Sequence, residues 1–222
     1  MKIAVLGGSF NPIHIGHLIL ADCVIKELGY DKVLFIPVYN PPHKEMANAA
    51  SPEDRLQMVK EAVKGDSRFE AEGYEIEKKG VSYTWDTICY LEKKYEGKLT
   101  DKIGLIFGFD LAADFDKWKN AEQLSKKCQL IMAVRPDDYR KNSSAGNLNK
   151  ATGAFNHQEV DFKLEDFKFP FIKVFNPEMA LSSSDIRDRI HSCKSWRYLV
   201  SEGVFDYIKN RKLYGYTDGR LK

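Results

Sequence analysis

Two histidines three residues apart, His14 and His17, follow a Gly7-Gly8 pair that closes a short apolar run. At a helix start that spacing lets both imidazoles face the same phosphate. The paired glycines let the backbone turn and come close to a ligand, so Gly8, Ser9 and Phe10 belong to the candidate site. A helix beginning near Gly16 aims its free N–H groups and positive dipole end at the same place, which makes an anion site. The string is not GxGxxG, and the only Gly-Lys pair, Gly97-Lys98, is followed by Leu99. Hydride chemistry on a dinucleotide fingerprint and P-loop hydrolysis are therefore set aside. Zinc is disfavoured because no third ligand of suitable spacing follows.

Other residues suit a phosphate-bearing substrate. Lys44 follows Pro41-Pro42-His43 and can hold a phosphate as a point charge; a solvated surface position is its other reading. Ser182, Ser183 and Ser184 open a helix, where they can bind phosphate or simply cap it. Arg187 lies one turn further and can fork onto phosphate oxygens. Asp110 ends an apolar run, and a carboxylate at a strand's C-terminal end commonly takes a ribose hydroxyl pair. Arg135 follows another strand end, and an exposed loop position suits it equally. There is no Ser-His-Asp or Cys-His constellation, and none is needed for transfer between phosphates.

These residues need a scaffold. The runs Ile3–Leu6, Lys32–Val38, Ile103–Phe107, Leu130–Val134 and Phe171–Phe175 are continuously apolar and read as strands buried on both faces. Phe69–Lys78 is more polar and is expected as an edge strand. Helical spacing appears at Leu18, Ala21, Ile25 and Leu28, stopped by Gly29, and at Leu56, Val59 and Val63 after a Ser51-Pro52-Glu53-Asp54 start. Thr84–Tyr95, Ser184–Ile190 and the Val200, Val204, Ile208 stripe complete the helices. Alternating β and α elements predict an α/β fold, a Rossmann-like open parallel sheet with helices on both faces. One domain over 1–222 is expected, with a polar insertion near 137–168 and a small C-terminal helical portion from about 182.

Composition is that of an ordinary globular protein: 43% hydrophobic and 30% charged among 222 residues. Lys and Arg number 34 against 32 Asp and Glu, a net charge of +2, which argues against a nucleic-acid coat. Cys23, Cys89, Cys128 and Cys193 are scattered, and they read as buried small hydrophobes in a reducing compartment. The N-terminal apolar run is too short for a signal-peptide core and no stretch is long enough to span a membrane, so a cytoplasmic location is expected. The oligomeric state is left open.

The string GGSFNPIHIGHL resembles the HxGH nucleotidyltransferases, and within them the nicotinate or nicotinamide mononucleotide adenylyltransferases of bacterial type. Pro41-Pro42-His43-Lys44 is similar to that family's PPHK loop, and Ser82–Thr87 to its SYTxDT segment, with Trp85 where a smaller apolar residue is usual. Gly108-Phe109-Asp110 followed by Trp118 resembles its GxD…W stretch. Leu181–Arg187 resembles ISSTxIR, with Leu181 for Ile and Ser184 for Thr, and Tyr207–Tyr214 resembles the terminal YIxxxxLY. The resemblance implies a nucleotidyltransferase architecture and adenylyl transfer from ATP to nicotinate mononucleotide, with magnesium entering as the ATP complex. It further implies that His14, His17, Lys44 and Arg187 act on phosphates, that Gly108 and Asp110 contact ribose, that Trp118 stacks on the pyridine, and that Tyr83 and Thr84 lie near the pyridine substituent. Competing readings are a pantetheine-phosphate or glycerol-phosphate acceptor and a non-catalytic nucleotide sensor. A class I tRNA synthetase shares His-Ile-Gly-His, but this chain is short for one and has no KMSKS-like lysine pair.

Overall fold

A strand covered by helices on both faces must be apolar on both, and four of the five apolar runs become such strands. The expectation fails for Phe171–Phe175, which is an edge of the sheet with Ile172, Lys173 and Phe175 exposed. The structure is a computed structural model that describes residues 1–40, 49–134, 163–175, 177 and 181–218. Its strands are β1 (Ile3–Gly8), β2 (Lys32–Pro37), β3 (Phe69–Ala71), β4 (Gly104–Gly108), β5 (Gln129–Val134) and β6 (Phe171–Phe175). All pairings are parallel, in the order β3-β2-β1-β4-β5-β6. The chain works outward in one direction from β1 to β3 and in the other from β4 to β6. At that reversal, outside the carboxyl ends of β1 and β4, an open α/β sheet leaves its ligand crevice.

The described helices are α1 (Ile15–Leu28), α2 (Pro52–Val63), α3 (Tyr74–Lys78), α4 (Thr84–Lys94), α5 (Ala121–Lys127), α6 (Ser183–His191) and α7 (Glu202–Arg211). Side chains alternate along each strand and divide the core. Ala4, Leu6, Val33, Phe35 and Ile131 pack with Val24, Met58, Val59, Ile186 and Val204, so α1, α2, α6 and α7 cover one face. Ile3, Val5, Leu34, Ile36 and Leu130 pack with Ile88, Leu91, Phe115 and Leu124, so α4, α5 and the 3-10 segment Phe109–Lys117 cover the other. Gly29 ends α1 in the left-handed region, with φ 66. Ser51 starts α2, its Oγ accepting the Asp54 N–H at 3.0 Å, with Pro52 in the first turn.

Several expectations are corrected. The edge strand is only Phe69–Ala71, because Glu72 turns inward and its carboxylate accepts the Tyr74 N–H at 3.0 Å, opening α3 instead. On α1 the buried residues are Leu20, Ala21 and Val24, with Leu18, Ile25 and Leu28 at the margin. On α2 the buried face holds Arg55, Met58, Val59 and Val63, while Leu56 is half-exposed. Cys128 is buried, and burial pushes its thiol up to about 12, but Cys193 is exposed, so one cysteine is no core residue. Residues 137–162 of the expected insertion lie outside the described residues, as do Lys44 and Arg135.

Candidate functional site

β1 delivers the chain to a half-exposed Gly8, and groups from distant elements hold the carbonyls of the turn that follows. Arg55 Nη1 donates to Ser9 O, Arg187 Nη1 to Asn11 O and Ser183 Oγ to Pro12 O, each at 2.8 Å. Across a trans peptide the N–H points opposite to the carbonyl. The N–H groups of Phe10 and Ile13 are thereby turned away from Arg55 and Ser183. The Phe10 backbone is left-handed, with φ 44, and its buried ring meets the His17 ring edge-on at 5.0 Å.

His14 caps α1, and His17 is the helix's third residue. The His14 backbone N–H donates to His17 Nδ1 at 3.2 Å. A neutral imidazole that accepts at Nδ1 carries its proton at Nε2, so His17 presents a donor at its far edge. The two rings stack with centroids 3.8 Å apart and 28° between planes. His14 is buried and His17 half-buried. The first turn of α1 holds no acidic residue, so the helix's positive end is not neutralised from within.

The N-terminus of α6 meets the same turn. Ser182 is the cap, accepting the Asp185 N–H at 3.1 Å, so Ser183 is free to reach Pro12. Ser184 Oγ accepts from Arg187 Nη2 at 3.1 Å. Across the crevice, Asp110 stands exposed just past the end of β4. A Cβ on Gly108 would sit 2.2 Å from Asp110 Oδ1, so this carboxylate needs a glycine two residues before it.

Trp118 is half-buried, with Phe115 and Phe107 centroids at 5.0 and 6.4 Å. Its neighbour Lys119 donates to Asp86 Oδ1 at 2.8 Å and lies 4.8 Å from the centroid of the exposed Tyr83 ring. Tyr83 caps α4 and Thr84 is the helix's first residue, so Trp118, Tyr83 and Thr84 are brought into one neighbourhood. Lys78 takes the other oxygen of Asp86 at 2.8 Å. Burial pushes the Asp86 carboxyl up, but the two lysine hydrogen bonds outweigh it and hold it below the usual range.

Sequence reasoning missed the residues that brace this site. Arg55 is fully buried, and its place in the stripe Arg55, Met58, Val59, Ala62 is the signal that could have exposed it. Asn11 Oδ1 accepts the Ala50 N–H at 3.0 Å and the Tyr214 hydroxyl at 2.8 Å. Tyr207 donates to Asp54 Oδ1 at 2.8 Å. The terminal YIxxxxLY stretch therefore ties the C-terminus to α2 and to the turn before His14. Glu75 is also buried; burial raises its carboxyl, and it accepts from Thr87 Oγ1 at 2.6 Å. Among the described residues no group of three or more His, Cys, Asp or Glu could hold a metal, and no helix is long and apolar enough to cross a membrane.

A parallel sheet in this order, with a two-histidine helix start at its switch point, is an α/β fold of the nucleotidyltransferase type. The chain belongs to the cytidylyltransferase-like family, whose model matches residues 5–189. It is 36% identical over 214 residues to a Treponema pallidum protein named "Probable nicotinate-nucleotide adenylyltransferase", covering 96% of this chain and 99% of that one. A Clostridium tetani protein of the same name is 34% identical over 213 residues, covering 96% and 98%. Among solved structures, Plasmodium falciparum nicotinic acid mononucleotide adenylyltransferase complexed with NaAD superposes with a TM-score of 0.69 at 18% identity, covering 97% of this chain and 98% of that one.

Proposed function

We propose that this chain transfers the adenylyl group of ATP to nicotinate mononucleotide, forming nicotinate adenine dinucleotide and releasing pyrophosphate. The observation that carries this reading is the His14–His17 pair at the start of α1, with His17 Nε2 as a donor, beside the β1/β4 switch point. Relatives that share about a third of the sequence over nearly its whole length, and carry that activity in their names, support the choice of acceptor.

In this reaction a phosphate oxygen of the mononucleotide attacks the α-phosphorus of ATP in line, the bond to the β-phosphate oxygen breaks, and pyrophosphate leaves. The protein positions the two phosphates and neutralises charge; it supplies no covalent nucleophile. His14 and His17 donate to ATP phosphate oxygens, joined by the outward N–H groups of the turn that contains Ser9 and Phe10. Arg187, Ser183 and Ser184 lie at the triphosphate end, and Lys44 serves the phosphates as a point charge. Asp110, set by Gly108, takes ribose hydroxyls. Trp118 offers a ring to the pyridine, with Tyr83 and Thr84 near its substituent. Magnesium belongs to the ATP substrate, held by phosphate and water oxygens.

Pyrophosphate release tests this, with ATP and CTP as donors and nicotinate mononucleotide, nicotinamide mononucleotide, pantetheine phosphate and glycerol phosphate as acceptors. ATP with nicotinate mononucleotide should give the highest kcat/KM. A higher value for any other pair would reassign the enzyme, and binding of ATP without turnover on any acceptor would make it a sensor.

A further inference from the structure

Arg55 is a fully buried cation, and burial lowers the pKa of its guanidinium from the ordinary value. Among the described residues its bonds run to carbonyls rather than to a carboxylate: Nη1 donates to Ser9 O at 2.8 Å and Val38 O at 2.6 Å, and Nη2 to Tyr39 O at 3.0 Å. A buried charge hydrogen-bonded only to carbonyls among the described residues is a costly way to fill a core. Its geometry gives it another use. The three carbonyls belong to two segments, the turn after β1 and the chain leaving β2, and one planar fork spans both.

The second segment is gripped from the opposite side as well. The Tyr39 N–H donates to Ser82 Oγ at 3.1 Å, and Asn40 pairs with Val81. Residues 38–40 are thus fixed between Arg55 and the stretch that opens α4, next to Tyr83 and Thr84. The pull on Ser9 O is also what turns the Phe10 N–H away from Arg55. We infer that Arg55 is a positioning residue: its guanidinium sets the distance between the ATP-side turn after β1 and the acceptor-side segment after β2. The assignment of the two sides rests on the function proposed above.

Arg55→Lys keeps the charge but loses the fork, and Arg55→Gln loses both. Each is compared with the parent by pyrophosphate release from ATP and nicotinate mononucleotide, thermal melting and calorimetric titration with ATP. A misplacement of about 1 Å costs roughly 100-fold. Arg55→Lys should therefore lose about that much kcat per folded molecule, and Arg55→Gln more. A folded Arg55→Lys enzyme whose kcat per folded molecule stays within twofold of the parent, whatever its melting temperature, overturns the inference. So does failure of both variants to fold, which would make Arg55 a core residue. If the parent itself ignores nicotinate mononucleotide, the acceptor reading falls and the ATP titration decides Arg55 alone. A Kd about tenfold weaker in Arg55→Lys then supports the inference, and an unchanged Kd overturns it.

Discussion

Replacing His17 by alanine separates what the ring does for the fold from what it does for the reaction. On the fold side the substitution removes the acceptor for the His14 N–H at 3.2 Å, the edge contact with Phe10 at 5.0 Å and the stack on His14 at 3.8 Å. A neutral hydrogen bond is worth about 1 kcal/mol net and an aromatic pair about 0.5–1.5 kcal/mol. The loss is roughly 2–4 kcal/mol, which lowers Tm by about 4–16 °C in a chain of this size and leaves it folded. On the reaction side it removes the Nε2 donor. Negative charge grows on the α-phosphoryl oxygens and on the leaving pyrophosphate as the bond breaks, so a donor placed there stabilises the transition state more than bound ATP. Loss of one such donor costs roughly 100–1,000-fold in kcat, about 3–4 kcal/mol. KM for ATP should change little. Two amides divide the roles. His17→Asn places an oxygen near the Nδ1 position and should recover Tm, whereas His17→Gln reaches toward the Nε2 position and should recover rate. Pyrophosphate release and thermal melting read both. A folded His17→Ala enzyme with kcat within a few-fold of the parent would refute the role, and recovery in the reverse pattern would refute the assigned proton position.

Trp118→Ala should raise KM for nicotinate mononucleotide more than for ATP, since stacking on a base-like ring is worth about 1–3 kcal/mol; an effect on ATP alone would return Trp118 to its Phe107 and Phe115 cluster. Gly108→Ala should leave Tm within a few degrees while raising KM for nucleotide, because the new Cβ displaces the exposed Asp110 carboxylate that now lies 2.2 Å away; unchanged KM removes Asp110 from ribose binding. Nicotinate mononucleotide should exceed the amide in kcat/KM, and equal values would remove Tyr83 and Thr84 from substituent recognition. Burial pushes the Asp54 carboxyl up, but hydrogen bonds from Ser51 and Tyr207 and the charge of Arg211 outweigh it, so the folded pKa is depressed. That stability is present above the unfolded value of about 4 and is lost as pH falls through the folded one. Asp54→Asn should therefore melt below the parent at pH 7, with the gap narrowing as pH falls below about 4; a gap that stays constant there would rule out the linkage.

The four inner strands were readable because burial on both faces leaves apolar runs, and the helix starts because Ser51-Pro52 and Ser182 cap in local sequence. His14 and His17 were readable because their spacing and the glycines before them act within one turn. What sequence did not carry was long-range pairing. Tyr214 meets Asn11 across 203 residues and Arg187 meets Asn11 across 176, and nothing local to either end encodes the partner. The Phe69–Lys78 stretch misled because its alternation is polar on both sides of Gly73, where the Tyr74 N–H donating to the Glu72 carboxylate decides between strand and helix. Trp118 was legible as an aromatic at a family position, while its packing on Phe115 depends on a 3-10 segment that strand and helix periodicities do not describe.

The turn between β1 and α1 does little to hold itself in place. Three of its carbonyls accept from Arg55, Arg187 and Ser183, and the one side-chain oxygen of Asn11 accepts from Ala50 and Tyr214. Those donors come from α2, α6 and the flanks of α2 and α7. Holding Ser9 O and Pro12 O turns the Phe10 and Ile13 N–H groups away from those donors before any anion arrives, a preorganised state of the kind that charge-stabilising catalysis requires. This accounts for the C-terminal helical portion as part of the site rather than an appendage. Ser183 and Arg187 of α6 grip the turn directly, while Tyr207 and Arg211 of α7 bind Asp54 on α2, one residue before the Arg55 that holds Ser9. The histidines therefore depend for their aim on residues more than 150 positions away, and the chain folds back on the turn after its own first strand to brace the proposed anion site.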